Sequence, residues 1–96
     1  MAKTYTTSQS GTGSSAAIDV DPDAHGEYTF VAVVTGTVNY DIEMTIDGTT
    51  WATHQDADGL TASVMTSFYS PLTQVRVTVN SGAGSVDLTV LERNQT

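Results

Sequence analysis

A strict alternation of apolar and polar side chains between Thr37 and Ile46 limits what this chain can fold into more than any other feature. Every second residue of the segment is apolar: Val38, Tyr40, Ile42, Met44 and Ile46. A period of two places successive side chains on opposite faces, which predicts a β-strand with one buried and one wet face. Asp47-Gly48 then supplies the positive φ angles of a reversal, and Trp51 restarts an apolar face. One side of the resulting sheet must be covered by a second layer.

Similar patterns precede and follow this strand. Residues 16–20 predict a short strand that ends at Asp21-Pro22, where proline cannot donate to a ladder, so an edge position is expected. Residues 27–34 are apolar on both sides, which is typical of a central strand. A short strand at 51–54 and a weaker one at 60–68 follow, and no segment shows a helical period.

Two strands near the end of the chain have matching apolar faces. Val75 to Val79 and Val86 to Val90 flank the turn-forming sequence Ser-Gly-Ala-Gly, which predicts a hairpin. In that register Arg76 would lie on the outer face, diagonal to Asp87 and within reach of it. With about seven strands and frequent turn signals, the prediction is an all-β chain forming a single antiparallel β-sandwich or jelly-roll.

The first residues differ from the rest in composition. Residues 3–15 are almost all Thr, Ser, Gly and Gln, with too little apolar area to offset the entropy of ordering. The prediction is a flexible polar N-terminal arm over 1–15 and one β-sandwich domain over 16–96. The arm is either a frayed terminus or a segment in which Tyr5, Thr6 and Thr7 become ordered on a partner or a neighbouring subunit.

Charge excludes some partners. With Lys+Arg 3 and Asp+Glu 11 the net charge is -8, so phosphate backbones and anionic membranes are repelled. We therefore expect no nucleic acid and no membrane partner; a basic protein surface would suit the field, although the same charge also serves solubility alone. The chain has no cysteine for a disulfide, and it shows neither a signal peptide nor an apolar run near the ~20 residues of a membrane span.

The sequence contains no strong motif for catalysis or for metal binding. The histidines, His25 and His54, lie in loop-like sequence without a nucleophile motif, so we expect no enzyme. A weak calcium site can be drawn from alternate carboxylates: Asp19, Asp21, Asp23 and Glu27. That spacing departs from an EF-hand, since Ala24 replaces the required glycine and Phe30 the bidentate glutamate. A solvated acidic turn is the alternative, and no cofactor is predicted.

The aromatic residues fall into two groups according to their position in the alternation of each strand. Tyr28, Phe30 and Tyr40 share the apolar face of their own strands and are predicted to be core, whereas Trp51 is ambiguous. Two further aromatic residues, Phe68 and Tyr69, stand at a strand end beside a proline and are predicted to be surface residues. The predicted partner-binding residues are Tyr5, Thr6, Thr7, Phe68 and Tyr69.

Four segments between residues 36 and 92 carry a resemblance to a known family. They are Gly36-Thr37-Val38, Met44 to Trp51 with its Asp-Gly turn, Pro71 to Val77, and the glycine-led closing strand Gly84 to Val90. Together they resemble the small all-β decoration (cement) proteins and minor virion proteins of tailed bacteriophages. The Asp-rich segment 19–27 has no counterpart in that pattern, and Thr45 stands where Ser or Asn often precedes the turn.

The resemblance implies a structural virion protein that binds the major capsid protein on the outer capsid surface, commonly as a homotrimer, after synthesis in the host cytoplasm. It implies no catalysis and transfers no binding residue. One alternative is a carbohydrate- or receptor-binding module of a phage fibre or a secreted protein, which would need exposed aromatic residues around Trp51 or Tyr69. Another is a tail or baseplate protein, which the sequence does not separate from the first.

Overall fold

A computed structural model of the chain describes residues 2–20, 27–68 and 72–93. Within these ranges the chain forms nine strands and no helix. The strands are β1 (Ala2–Ser10), β2 (Gly13–Ser14), β3 (Ile18–Asp19), β4 (Tyr28–Thr35), β5 (Asn39–Thr45), β6 (Trp51–Thr53), β7 (Val64–Phe68), β8 (Gln74–Ser81) and β9 (Ser85–Arg93). Accordingly, the described residues contain no helix of the length and hydropathy needed to cross a membrane.

The strands form two antiparallel sheets. Sheet I has the order β1-β9-β4-β7, and sheet II has the order β2-β8-β5-β6, with β3 also paired to β8. Because β2 and β3 both pair with β8, they act as one interrupted strand; the chain then passes from one sheet to the other at every connection except the β5–β6 hairpin, which is the strand order of a jelly-roll. The predicted all-β sandwich is confirmed, with nine strands in place of about seven.

The core lies between the sheets and follows the alternation seen in the sequence. In β5 the even-numbered residues are buried, and Tyr28, Phe30 and Tyr40 are core residues as predicted. Valine and leucine from β8 and β9 complete the layer: Val75, Val77, Val79, Val86, Leu88 and Val90. Period-two patterning therefore identified the inner faces of β4, β5, β8 and β9 correctly, whereas Ile46, predicted on the buried face, lies just after β5 and is 75% exposed.

The predicted hairpin between β8 and β9 is wrong, because the two strands belong to different sheets. The intervening residues 82–84 form an arch across the sandwich next to the arch at 36–38 between β4 and β5, and the Gly84 N–H donates to the Thr37 carbonyl at 3.0 Å. Matched apolar faces are compatible with a hairpin and with an arch, since the two strands face the same core in both cases. Arg76 consequently lies on sheet II and Asp87 on sheet I, so the predicted pair between them does not form.

The N-terminal residues also differ from the prediction. Residues 2–10, expected within a flexible arm, form β1 and pair with β9 from Ala2↔Arg93 to Ser10↔Ser85. The ladder uses backbone groups, which a polar sequence supplies as well as an apolar one. As an edge strand β1 covers little of the core, so Tyr5 is the one apolar side chain of residues 3–10 that packs against it. The polar composition of these residues is the reason why the sequence did not predict the strand.

Candidate protein-binding surface

The outer face of sheet I carries a strip of apolar side chains, which we call the apolar strip: Val31, Val33, Met65 and Leu91. Val31 lies directly opposite Met65 on β7 and opposite Thr89 on β9, so the strip runs across the three neighbouring strands. Met65 is 73% exposed and Val33 is 49% exposed. Within residues 2–20, 27–68 and 72–93, no further layer of the chain covers this face of the two-layer sandwich.

Polar but mostly uncharged residues surround the apolar strip. Thr29 and Ser67 lie beside it on β4 and β7, and Thr6 of β1 lies opposite Thr89. Among the described side chains of this face, Asp87 is the one charged group, and it pairs with Val33 at one end of the strip. On a chain of net charge -8, such an area is where another molecule can approach with little desolvation of charge.

The outer face of sheet II is built differently, around an ion pair. The Arg76 Nε lies 2.7 Å from the Glu43 Oε1, and the Thr78 hydroxyl donates to the same oxygen at 2.7 Å. The Arg76 guanidinium lies over the Trp51 ring, 4.0 Å from its centroid. Neighbouring polar groups are also paired, with Gln74 Nε2 donating to Asp19 Oδ1 at 2.7 Å. This face therefore satisfies its polar groups within the chain.

Trp51 bears on the carbohydrate-binding alternative. Its side chain lies on the outer face of sheet II, opposite Thr45, and it is half-buried. Arg76 occupies one face of the indole, so a sugar could stack only on the remaining face. The arrangement uses Trp51 to position Arg76, a role that needs no ligand.

His54 is a core residue. It is 3% exposed, and its ring makes edge contacts with Phe30 and Phe68 at centroid distances of 5.7 and 5.9 Å. The Asp56 N–H donates to His54 Nδ1 at 3.0 Å, so the proton of the neutral ring lies on Nε2, which donates to the Ser67 carbonyl at 2.8 Å. The side chain thereby fixes the loop after β6 to sheet I, and nothing in the loop-like residues around it indicated this role.

The Asp47-Gly48 turn forms as the sequence predicted, with Gly48 at a φ of 83°. Asp47 Oδ1 accepts from the backbone N–H groups of Thr50 and Thr49 at 2.7 and 2.9 Å and from the Thr45 hydroxyl at 2.9 Å. These bonds, the one from Thr50 foremost, hold the pKa of the Asp47 carboxyl well below its usual range. The carboxylate stabilises a turn and is exposed.

The residues of the weak calcium prediction fall in different places. Asp19 is exposed and bonded to Gln74, and Glu27 is partly buried just before β4. Asp21 and Asp23 lie outside the described residues, as does His25. Within the ranges that the structure describes, no three His, Cys, Asp or Glu side chains are grouped as metal ligands. Calcium binding at 19–27 stays a prediction.

The structure places the predicted partner-binding residues in different environments. Thr6 is exposed on the outer face of sheet I, two strands from the apolar strip's centre. Tyr5 and Phe68 instead pack against the core, and the Tyr5 hydroxyl donates to Glu92 Oε2 at 3.4 Å. Thr7 is partly buried and donates its hydroxyl to the Ala16 carbonyl at 2.9 Å, and Tyr69 lies outside the described residues.

Sequence reasoning missed the apolar strip, although a signal for it was present. Residues 27–34 are apolar on both sides, which predicted a central strand and nothing about its outer side. A two-layer sandwich buries one face of each sheet, so the second apolar side of such a strand, with Val31 and Val33, must point outward. The combination of a sandwich prediction with a doubly apolar strand therefore indicates an exposed apolar surface.

Comparisons with known proteins place the fold and leave the family open. No protein-family model matches the sequence, and no curated protein matches it. The chain is similar in structure to a solved protein of Bacillus endospore appendages, described as a novel family of disulfide-linked pili, with a TM-score of 0.53 and 16% identity. The match covers 99% of this chain and 88% of that one. At this identity the likeness concerns the fold.

Proposed function

We propose that this chain is a structural virion protein that binds the major capsid protein on the outside of a phage capsid and stabilises the shell. The observation that carries the proposal is the apolar strip on the outer face of sheet I. An exposed apolar area with a polar rim is the usual mark of a protein contact site. The strip lies on three paired strands, which present it as a rigid surface.

Three further observations support this function. The four sequence segments between residues 36 and 92 resemble phage decoration proteins, and the jelly-roll strand order also occurs in viral capsid domains, which is an argument from analogy. The acidic remainder of the surface favours approach to basic surfaces and opposes unspecific contact between copies. A homotrimer placed on the capsid surface, without a cofactor, is part of the proposal and follows from the resemblance.

A second candidate is a subunit of a protein fibre, which the structural similarity to a pilus protein favours. Both candidates use the chain as a building block and require protein contacts through its outer surfaces. The endospore pili are disulfide-linked, whereas this chain has no cysteine and cannot supply such a link. Electron microscopy of the concentrated chain separates the two candidates, because a fibre subunit polymerises without capsids.

The capsid proposal is tested by placing a charge on the apolar strip. Met65→Asp on β7 puts an unpaired carboxylate in the proposed contact, and its exposed position leaves the core untouched. Cosedimentation with purified capsids lacking this protein should show a loss of affinity of about a hundredfold, since an unpaired charge in an interface costs about 2–5 kcal/mol. Thr53→Asp, exposed on the outer face of sheet II, is the matched control and should bind as the unchanged chain does.

Two outcomes contradict this proposal. Equal binding by Met65→Asp and the unchanged chain would mean that the apolar strip does not contact the capsid. Loss of binding in Thr53→Asp alone would assign the contact to sheet II. A chain that ignores capsids but binds glycans in a manner lost on Trp51→Ala would support the carbohydrate-binding alternative.

A further inference from the structure

We infer that β1 exchanges between copies of this chain, so that β1 of one copy pairs with β9 of another. β1 is the edge strand of sheet I and contacts sheet I through β9 alone. The inference concerns how copies join and does not depend on capsid binding, so either can fail without the other.

Backbone pairing holds β1 in place more than side chains do. The ladder with β9 contains nine residue pairs. Among the side chains of residues 3–10, Tyr5 packs against the core and bonds Glu92, Thr7 bonds the Ala16 carbonyl, and Gln9 bonds carbonyls of its own segment. An identical β1 from a second copy would form the same ladder, because every contact to β9 is reproduced.

The connection from β1 to β2 is unusually short for its task. Gly11 and Thr12 alone join Ser10 in sheet I to Gly13 in sheet II. Three Cα–Cα steps reach at most about 11 Å, and packed sheets lie about 10 Å apart. The link is therefore short for its span, and the chain bends at both of its residues; the glycines on either side of Thr12 have positive φ values, 73° at Gly11 and 137° at Gly13. Short hinge loops favour exchange of the strand that they tether.

When β1 leaves its own copy, it exposes an edge of β9 with which β1 of another copy can pair. Without β1 the outer edge of β9 exposes unpaired backbone groups beside the buried side chains of Val86, Leu88 and Val90. An open edge of this kind pairs with any matching strand, and the matching strand is present on each copy. Reciprocal exchange closes a dimer, and cyclic exchange closes a trimer, with no new type of contact.

The absence of cysteine from the sequence makes the exchange directly testable. Thr6 and Thr89 are partners in the β1·β9 ladder and lie on the same outer face. Directly opposite residues have Cα atoms about 4.5–5.5 Å apart, which is within the range of a disulfide. A Thr6→Cys chain and a differently tagged Thr89→Cys chain are mixed, unfolded, refolded together and oxidised, and a non-reducing gel then reports the link between them.

We expect a disulfide between the two chains at a yield at least about tenfold above that of Thr6→Cys mixed with Thr53→Cys, because paired strands hold the thiols at millimolar effective concentration. Thr53 lies on the other sheet and measures random collision. A Gly-Ser-Gly-Ser insertion after Thr12 in both chains should relax the hinge and lower the yield. Ser8→Cys with Asp87→Cys, a second ladder pair, replaces the first if either variant fails to refold.

A yield equal to that of the collision control, in either ladder pair and with native circular dichroism, would overturn the exchange. A link that forms equally well with the lengthened hinge would overturn the role of Gly11-Thr12 in driving it. Neither result would bear on capsid binding, which the Met65→Asp experiment measures separately.

Discussion

The outer faces of the two sheets carry different kinds of side chain, although in both sheets successive residues point alternately inward and outward. On sheet II the outward side chains bond one another: Arg76 contacts Glu43 at 2.7 Å and covers Trp51 at 4.0 Å. On sheet I the outward side chains of β4, β7 and β9 form the apolar strip, with Met65 73% exposed. The first face is satisfied within the chain, and the second leaves apolar area in water that another protein can cover.

This difference indicates a division of roles between the faces. We expect side chains on the outer face of sheet II to contribute to the stability of the fold, because they contact one another, and those of the apolar strip to contribute less. The proposed contact rests on the strip because the exposed Val33 and Met65 lie there beside the half-buried Val31 and Leu91. Mutations on the two faces should therefore separate stability from binding.

The largest expected effect concerns the contact between the two arches, 36–38 and 82–84, which carry the chain from one sheet to the other. A Cβ atom at Gly84 would lie 2.8 Å from the Thr37 nitrogen and 3.0 Å from the Gly36 carbonyl carbon, so Gly84→Ala forces the two arches apart. We expect a loss of about 3 kcal/mol in the free energy of unfolding, measured by urea titration. Ala83→Gly at the neighbouring exposed position is the control. An unchanged midpoint in Gly84→Ala would contradict the paired arches.

A smaller loss is expected on sheet II. Arg76→Ala removes the bond to Glu43 and the stacking on Trp51, which together should contribute about 1–2 kcal/mol to the free energy of unfolding. A double-mutant cycle with Glu43→Gln isolates the share of the pair. If Arg76→Ala unfolds at the same urea concentration as the unchanged chain, the outer face of sheet II does not stabilise the fold.

The smallest effect is expected on the apolar strip. Met65→Ser should change the free energy of unfolding by less than about 0.5 kcal/mol, because the side chain is 73% exposed. Met44→Ser is the matched control, since Met44 is 7% exposed and its truncation should cost about 2 kcal/mol or more. Similar losses in the two variants would show that the apolar strip supports the fold, and the contrast between the faces would disappear.

Much of the fold followed from the sequence, for reasons that are local. The period of two from Val38 to Met44 identified the inner face of β5, and the Asp47-Gly48 turn followed from the backbone freedom of glycine. β1 escaped prediction because a polar edge strand is held by backbone bonds that side-chain patterns do not report. Of the predicted partner-binding residues, Thr6 alone is described as exposed on the outer face of sheet I.

The sequence by itself determined the inner faces of β4, β5, β8 and β9, the Asp47-Gly48 turn and the acidic surface, because each depends on residue type and spacing along a short segment. The tertiary structure decided which strands share a sheet: β8 and β9 have matched faces, and an arch and a hairpin both bury them against one core. It also decided that Val31 and Met65 meet on the outside and that Arg76 meets Glu43 and Trp51. Such pairings join residues far apart in the chain, and only the packing of the two sheets brings them together.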